Sequence, residues 1–163
     1  MKTAVYTGSF DPITLGHLNV IERSCRLVDQ LIIGIGVNIE KTGLFEPDER
    51  LDLVRRVTAH LDNVEVQTFE GLAVNFVKKC DAKVMIRGFR PLTDIAAEFT
   101  MMMANRALNV ELETVFLMAD GQFAHVSSTL IKQVTPLADD EQLARFVPQE
   151  IIPDLRQKLP QGS

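Results

Sequence analysis

Cysteine is scarce in this chain: only Cys25 and Cys80 occur in 163 residues, far apart and inside apolar helical patterns. That excludes a disulfide framework and a cysteine-based metal cage, and it suits a reducing compartment. No apolar run approaches the roughly twenty residues that a membrane-spanning helix needs. The first residues open directly into a strand pattern, without the charged and apolar regions of a secretory leader, so a cytoplasmic location is expected. Positive charge is also short, with 17 Lys and Arg against 22 Asp and Glu and a formal net charge of −5. The basic residues are dispersed, so neither a nucleic acid nor a membrane is expected as partner. A polyanionic ligand would have to be drawn by a few cations focused in one cleft. There is no P-loop lysine motif, no Ser-His-Asp arrangement, no zinc-type spacing around His60 or His125, and no internal repeat or linker.

What is present is a pattern of alternation. Hydrophobic residues make up 46% and charged residues 24%, as in an ordinary globular domain. The length predicts one domain over residues 1–163, with 159–163 as a fraying tail. Strands are expected over 3–6, 31–37, 64–69, 83–86 and 113–118, and helices over 17–28, 47–60, 71–79 and 92–108. Leu31-Ile32-Ile33 and Val84-Met85-Ile86 are nearly continuous apolar, the mark of strands covered on both faces. The fold class that follows is α/β, a single-domain Rossmann-like, doubly wound sheet of five parallel strands. A short helix opened by Ser127 and helices near 139–146 and 148–158 should complete the C-terminal part.

The run Thr7-Gly8-Ser9-Phe10-Asp11-Pro12-Ile13-Thr14-Leu15-Gly16-His17 joins the first strand to the first helix. Such a corner exposes backbone N–H groups and the positive end of a helix dipole, which together bind anions. Glycines, hydroxyls and an imidazole at one corner suggest chemistry on a phosphate. Lys41 follows the second strand, and Arg87 and Arg90 flank Gly88 just after the fourth. In open parallel sheets the ligand crevice lies at the carboxyl ends of strands, where these cations converge. Arginine suits bidentate phosphate recognition and lysine acts as a mobile point charge. Ser127-Ser128-Thr129 forms a second hydroxyl-rich helix start, of which one hydroxyl is explained by capping. Gly34-Ile35-Gly36 begins like a dinucleotide fingerprint, but Ile39 stands where its last glycine is needed.

With Thr14-Leu15-Gly16-His17, Lys41, Ile86-Arg87-Gly88-Phe89-Arg90, Asn105-Arg106 and the late serines, the chain resembles bacterial phosphopantetheine adenylyltransferases. These belong to the nucleotidyltransferase superfamily whose signature reads His or Thr, any residue, Gly, His. The resemblance extends to about residue 158. It implies reversible transfer of an adenylyl group from Mg·ATP to 4′-phosphopantetheine, the penultimate step of coenzyme A biosynthesis. Mg²⁺ would be carried with ATP, without a dedicated protein metal site. Dephospho-coenzyme A and coenzyme A would be further ligands, and the assembly would be a homohexamer. By position, the resemblance gives a catalytic group of His17, Lys41 and Arg90. Ser9, Lys41, Ala73 and Arg87 would bind phosphopantetheine. ATP would be held by Ser9, Phe10, His17, Gly88, Phe89, Arg90 and Glu98. Phe123, Ala124, His125, Val126, Ser127, Ser128 and Thr129 would complete that side. Thr7 stands where the family commonly has proline, Ala96 and Ala97 replace acidic and aromatic residues, and Phe123 replaces tryptophan or tyrosine.

Overall fold

The computed structural model describes residues 2–38, 40, 42–89 and 95–162. Five parallel strands form one sheet in the order β3-β2-β1-β4-β5: β1 (Thr3–Gly8), β2 (Gln30–Val37), β3 (Val64–Glu70), β4 (Val84–Phe89) and β5 (Glu113–Met118). Helices α1 (Leu15–Cys25), α2 (Pro47–Thr58), α3 (Ala73–Lys79) and α4 (Ile95–Leu108) alternate with them. The helices α5 (Ser128–Val134), α6 (Asp140–Leu143) and α7 (Ile152–Lys158) follow. The strand order reverses between β1 and β4, so the crevice at this switch point opens beside Gly8 and Phe89.

Side-chain alternation explains the two layers. Ala4, Tyr6, Leu31, Ile33 and Ile35 face a large core with α1, α2 and the C-terminal helices. Val5, Ile32 and Met85 point the other way, against Val74, Phe76 and Val77 of α3. Pro47 with Asp48 and Glu49 starts α2, and Leu53, Val54 and Val57 bury its inner face. Burial of each such side chain stabilises by about 1.5–3 kcal/mol. No helix among the described residues is long and apolar enough to cross a membrane.

Several boundaries differ from expectation for physical reasons. Helix α1 begins at Leu15 rather than His17, because Thr14 caps it and His17 occupies its third position. Strand β4 continues to Phe89, so Arg87 and Gly88 lie within it; Arg87 pairs with Phe116 and Gly88 with Leu117 of β5. The C-terminal helices are shorter than expected: α6 stops at Leu143, and a 3₁₀ turn over Gln149–Ile151 precedes α7. The start of the expected helix over 92–108 falls partly on residues 92–94, outside the described residues.

Candidate active site

The first corner is built by a reciprocal cap. The His17 N–H donates to Thr14 Oγ1 at 3.3 Å, while the Thr14 N–H donates to His17 Nδ1 at 3.1 Å. A backbone N–H can only donate, so Nδ1 accepts and the neutral ring carries its proton on Nε2. The cap therefore selects the tautomer with the proton on Nε2. Phe10 supports the imidazole from below, with ring centroids 5.1 Å apart. Phe10 itself is fully buried, adopts φ 47°, and packs edge-on against Tyr6 at 5.4 Å.

Two cavities meet at this corner. The first, about 290 Å³, is lined by Ser9, Gly16, His17, Gly88, Phe89 and Phe123, with Val126, Ser127, Ser128 and Thr129. The second, about 360 Å³, is more apolar and is lined by Phe69, Leu72, Ala73, Met85, Met101 and Met102, with Asn38 and Asn105. Thr7, Gly8, Ser9, Arg87 and Glu98 line both. Arg87 ties the shared wall together. Arg87 Nε and Nη2 donate to the two Glu98 oxygens at 2.8 and 2.7 Å, and Nη1 donates to the Thr7 carbonyl at 2.7 Å. Such a bidentate pair fixes β1, β4 and α4 to one another. Burial pushes the Tyr6 phenol well above its ordinary value, so the hydroxyl in the first cavity's wall stays neutral.

The structure thus gathers Ser9, His17, Arg87, Gly88, Phe89, Glu98, Phe123, Val126 and the late hydroxyls around one cavity. Ala73 lines the other. Two of the three hydroxyls have structural partners: Ser127 Oγ accepts from the Leu130 N–H, and Ser128 Oγ donates to the Pro12 carbonyl. Ala124 and His125 stand outside the lining, and the His125 ring packs on Phe146. Lys41 and Arg90 lie outside the described residues.

One buried cluster was not singled out from the sequence. Asp11, on the loop after β1, accepts from the Leu44 and Phe45 N–H groups at 2.9 and 2.8 Å and from Lys132 Nζ at 2.9 Å. Burial opposes the charged form of Asp11, but the Lys132 ammonium and these N–H donors outweigh it and hold the carboxyl below the usual range. Arg50 of α2 lies 3.7 Å from Asp11 and donates to the carbonyls of Phe45 and Ser9. A signal was available: Arg50 sits on the same helical face as Leu53, Val54 and Val57, where a charge is out of place.

Comparison with known proteins decides the family. Residues 5–134 match the cytidylyltransferase-like family model. The chain is 63% identical to a phosphopantetheine adenylyltransferase of Rhodopirellula baltica, covering 96% of this chain and 88% of that one. It is 46% identical to a phosphopantetheine adenylyltransferase of Clostridium botulinum, covering 98% and 96%. The chain belongs to the phosphopantetheine adenylyltransferase family. Membership makes it a nucleotidyltransferase of coenzyme A biosynthesis. A nicotinic acid mononucleotide adenylyltransferase of Plasmodium falciparum superposes with a TM-score of 0.68 at 14% identity, over 96% of this chain and 94% of that one, which speaks for the fold alone. In this phosphopantetheine adenylyltransferase family member, the signature residues Thr14 and His17 are the ones that form the reciprocal cap.

Proposed function

We propose that this chain, as one nucleotidyltransferase domain over residues 1–163, transfers the adenylyl group of ATP reversibly to the phosphate of 4′-phosphopantetheine. Dephospho-coenzyme A and pyrophosphate are the products. The observation that carries this reading is the shared wall of Thr7, Gly8, Ser9, Arg87 and Glu98 between the two cavities. The hydroxyl-lined cavity suits a triphosphate and its nucleoside. The apolar one, with Asn38 and Asn105, suits a neutral arm of methylenes and amides. Two anionic ends would then meet beside Ser9, His17 and Arg87.

The chemistry needs no base, because the attacking group is already an anionic phosphate. The obstacle is repulsion between two anions and charge accumulating on the leaving pyrophosphate. In-line positioning and aimed N–H donors lower that barrier. The single carboxylate among the described lining residues, Glu98, is engaged by Arg87 and so is no candidate base. His17 supplies its Nε2–H to the transition state, with Lys41 and Arg90 as further catalytic cations. Ser9, Lys41, Ala73 and Arg87 bind phosphopantetheine. Gly88, Phe89, Arg90, Glu98, Phe123 and the segment from Val126 to Thr129 hold ATP. Family chemistry on ATP calls for a divalent ion, which we take to be Mg²⁺ arriving on the triphosphate. Ser9 and Thr129, beside the single described carboxylate, which is paired to Arg87, fit such a hydrated complex better than a protein carboxylate cage would.

Coenzyme A is a further ligand of the same two cavities. Phe99, Met103, Leu108, Val115 and Met118 leave an exposed apolar face on α4 and β5. That face supports a homohexamer. The free thiols of Cys25 and Cys80 support a cytoplasmic setting. The reading is tested by pyrophosphate release from ATP with phosphopantetheine or nicotinate mononucleotide as acceptor. Release dependent on phosphopantetheine is expected; release only with the other acceptor, or with neither, overturns it.

A further inference from the structure

The buried cluster around Asp11 joins three segments that border different parts of the site. Asp11 itself follows Ser9 and Phe10 on the loop after β1. Through its two N–H acceptor bonds it holds Leu44 and Phe45, on the loop that follows β2 and carries Lys41 three residues earlier. Through Lys132 it holds α5, whose start places Ser127, Ser128 and Thr129 at the nucleotide cavity. Arg50 closes the arrangement by donating to the Ser9 and Phe45 carbonyls. Packing there is tight. A Cβ at Gly43 would stand 2.5 Å from Arg50 Nη2 and 3.0 Å from Asp11 Oδ2, so a larger residue would have to displace the Arg50 guanidinium.

Desolvation makes this an expensive way to gain stability. The Asp11 and Arg50 side chains are only 8% and 9% exposed, and an apolar cluster of similar volume would hold the segments at least as firmly. What a carboxylate adds is direction. It accepts from two successive amides and one ammonium at once, and so sets three segments in one register. Asp11 touches neither cavity lining, so its effect on chemistry must pass through the groups it holds.

We propose that Asp11 is a positioning residue for the adenylyl transfer, holding the loop after β2 on the acceptor side and helix α5 on the nucleotide side in register with Ser9. This rests on the reaction proposed above. In Asp11→Asn the shape persists, but the amide NH₂ faces either the Phe45 N–H or both the Leu44 N–H and the Lys132 ammonium, donor against donor. Loss of a charge-assisted network of this kind corresponds to at least about tenfold in rate.

The test is steady-state kinetics on the full chain, with melting temperatures for every variant. Asp11→Asn should fold, melt above the assay temperature and lose at least tenfold in kcat. Lys132→Met cuts only the α5 arm, at a half-exposed side chain. It should raise KM for ATP severalfold and leave KM for phosphopantetheine within twofold. A folded Asp11→Asn with kcat and both KM values within twofold of the parent overturns the inference. If Asp11→Asn does not fold, an unchanged KM for ATP in Lys132→Met overturns it. Turnover by the parent chain is the separate control on the reaction itself. Should that fail, the Lys132→Met effect is read as weaker ATP binding by calorimetry, with equal binding as the contrary result.

Discussion

Replacing His17 with alanine separates the cap that the imidazole makes from the transition-state role proposed for it. The ring accepts from the Thr14 N–H through Nδ1 at 3.1 Å, which is structural, and in the reaction proposed above donates from Nε2 to the reacting phosphates. Loss of the first contact removes one cap hydrogen bond, worth about 1 kcal/mol. In a domain of this size that lowers the melting temperature by about 2–4 °C. Loss of the second removes a donor aimed at charge that develops only in the transition state, which costs about 10²–10³ in kcat. His17→Gln provides the comparison, because glutamine at the third helix position can accept from the cap N–H and restore the box. The expectation is that His17→Ala melts slightly lower and turns over at least about a hundredfold more slowly. His17→Gln should recover the melting temperature without recovering the parent rate. Calorimetry and pyrophosphate release measure the two effects independently. A lowered melting temperature with kcat within threefold of the parent would show that the imidazole is only a cap, and the transition-state role would be refuted.

Two further outcomes follow from packing and ionisation. In Gly34→Ala the new methyl would overlap Phe76 Cε1 and stand 3.2 Å from Phe69 Cδ1, at a stacked pair whose centroids are 4.5 Å apart. Urea unfolding should show a loss of about 1–3 kcal/mol, and unchanged stability would mean that the stack yields freely. The Asp11 carboxyl is held below its ordinary 3.8, so its stabilisation is complete above that value and is lost as pH falls through the lower, folded one. The parent chain should therefore lose more stability than Asp11→Asn as pH falls below about 4, and parallel unfolding curves there would contradict this.

The strands were legible because β1, β2, β4 and β5 contain compact apolar runs and β3 alternates apolar with polar residues from Val64 to Gln67, and the parallel order followed from their alternation with helices. His17, Ser9 and the serines before Leu130 were legible because a strand–helix corner and a helix start need local signals. Arg87 was found, but as a residue beyond β4. A charged side chain ends an apolar run on paper, whereas in the sheet Glu98 neutralises it from the helix eleven residues on. Asp11 was hidden for a different reason. Asp-Pro reads as a turn, and its partner Lys132 is 121 residues away, beyond any local pattern. The expectation for Phe10 rested on family position, and the structure places that ring wholly in the core, beneath His17. Local chemistry thus revealed which groups the site contains, while the contacts that hold them required the fold.

The account depends on two substrates meeting across the wall formed by Thr7, Gly8, Ser9, Arg87 and Glu98. A crystal structure with dephospho-coenzyme A bound tests this most directly, since that molecule is both halves joined. The account predicts the adenosine in the cavity bordered by Ser127 and Gly88, the pantetheine arm against Met101 and Asn105, and the bridging phosphates beside Ser9 and His17. Adenosine and arm lying together in one cavity, or phosphates remote from His17, would contradict it.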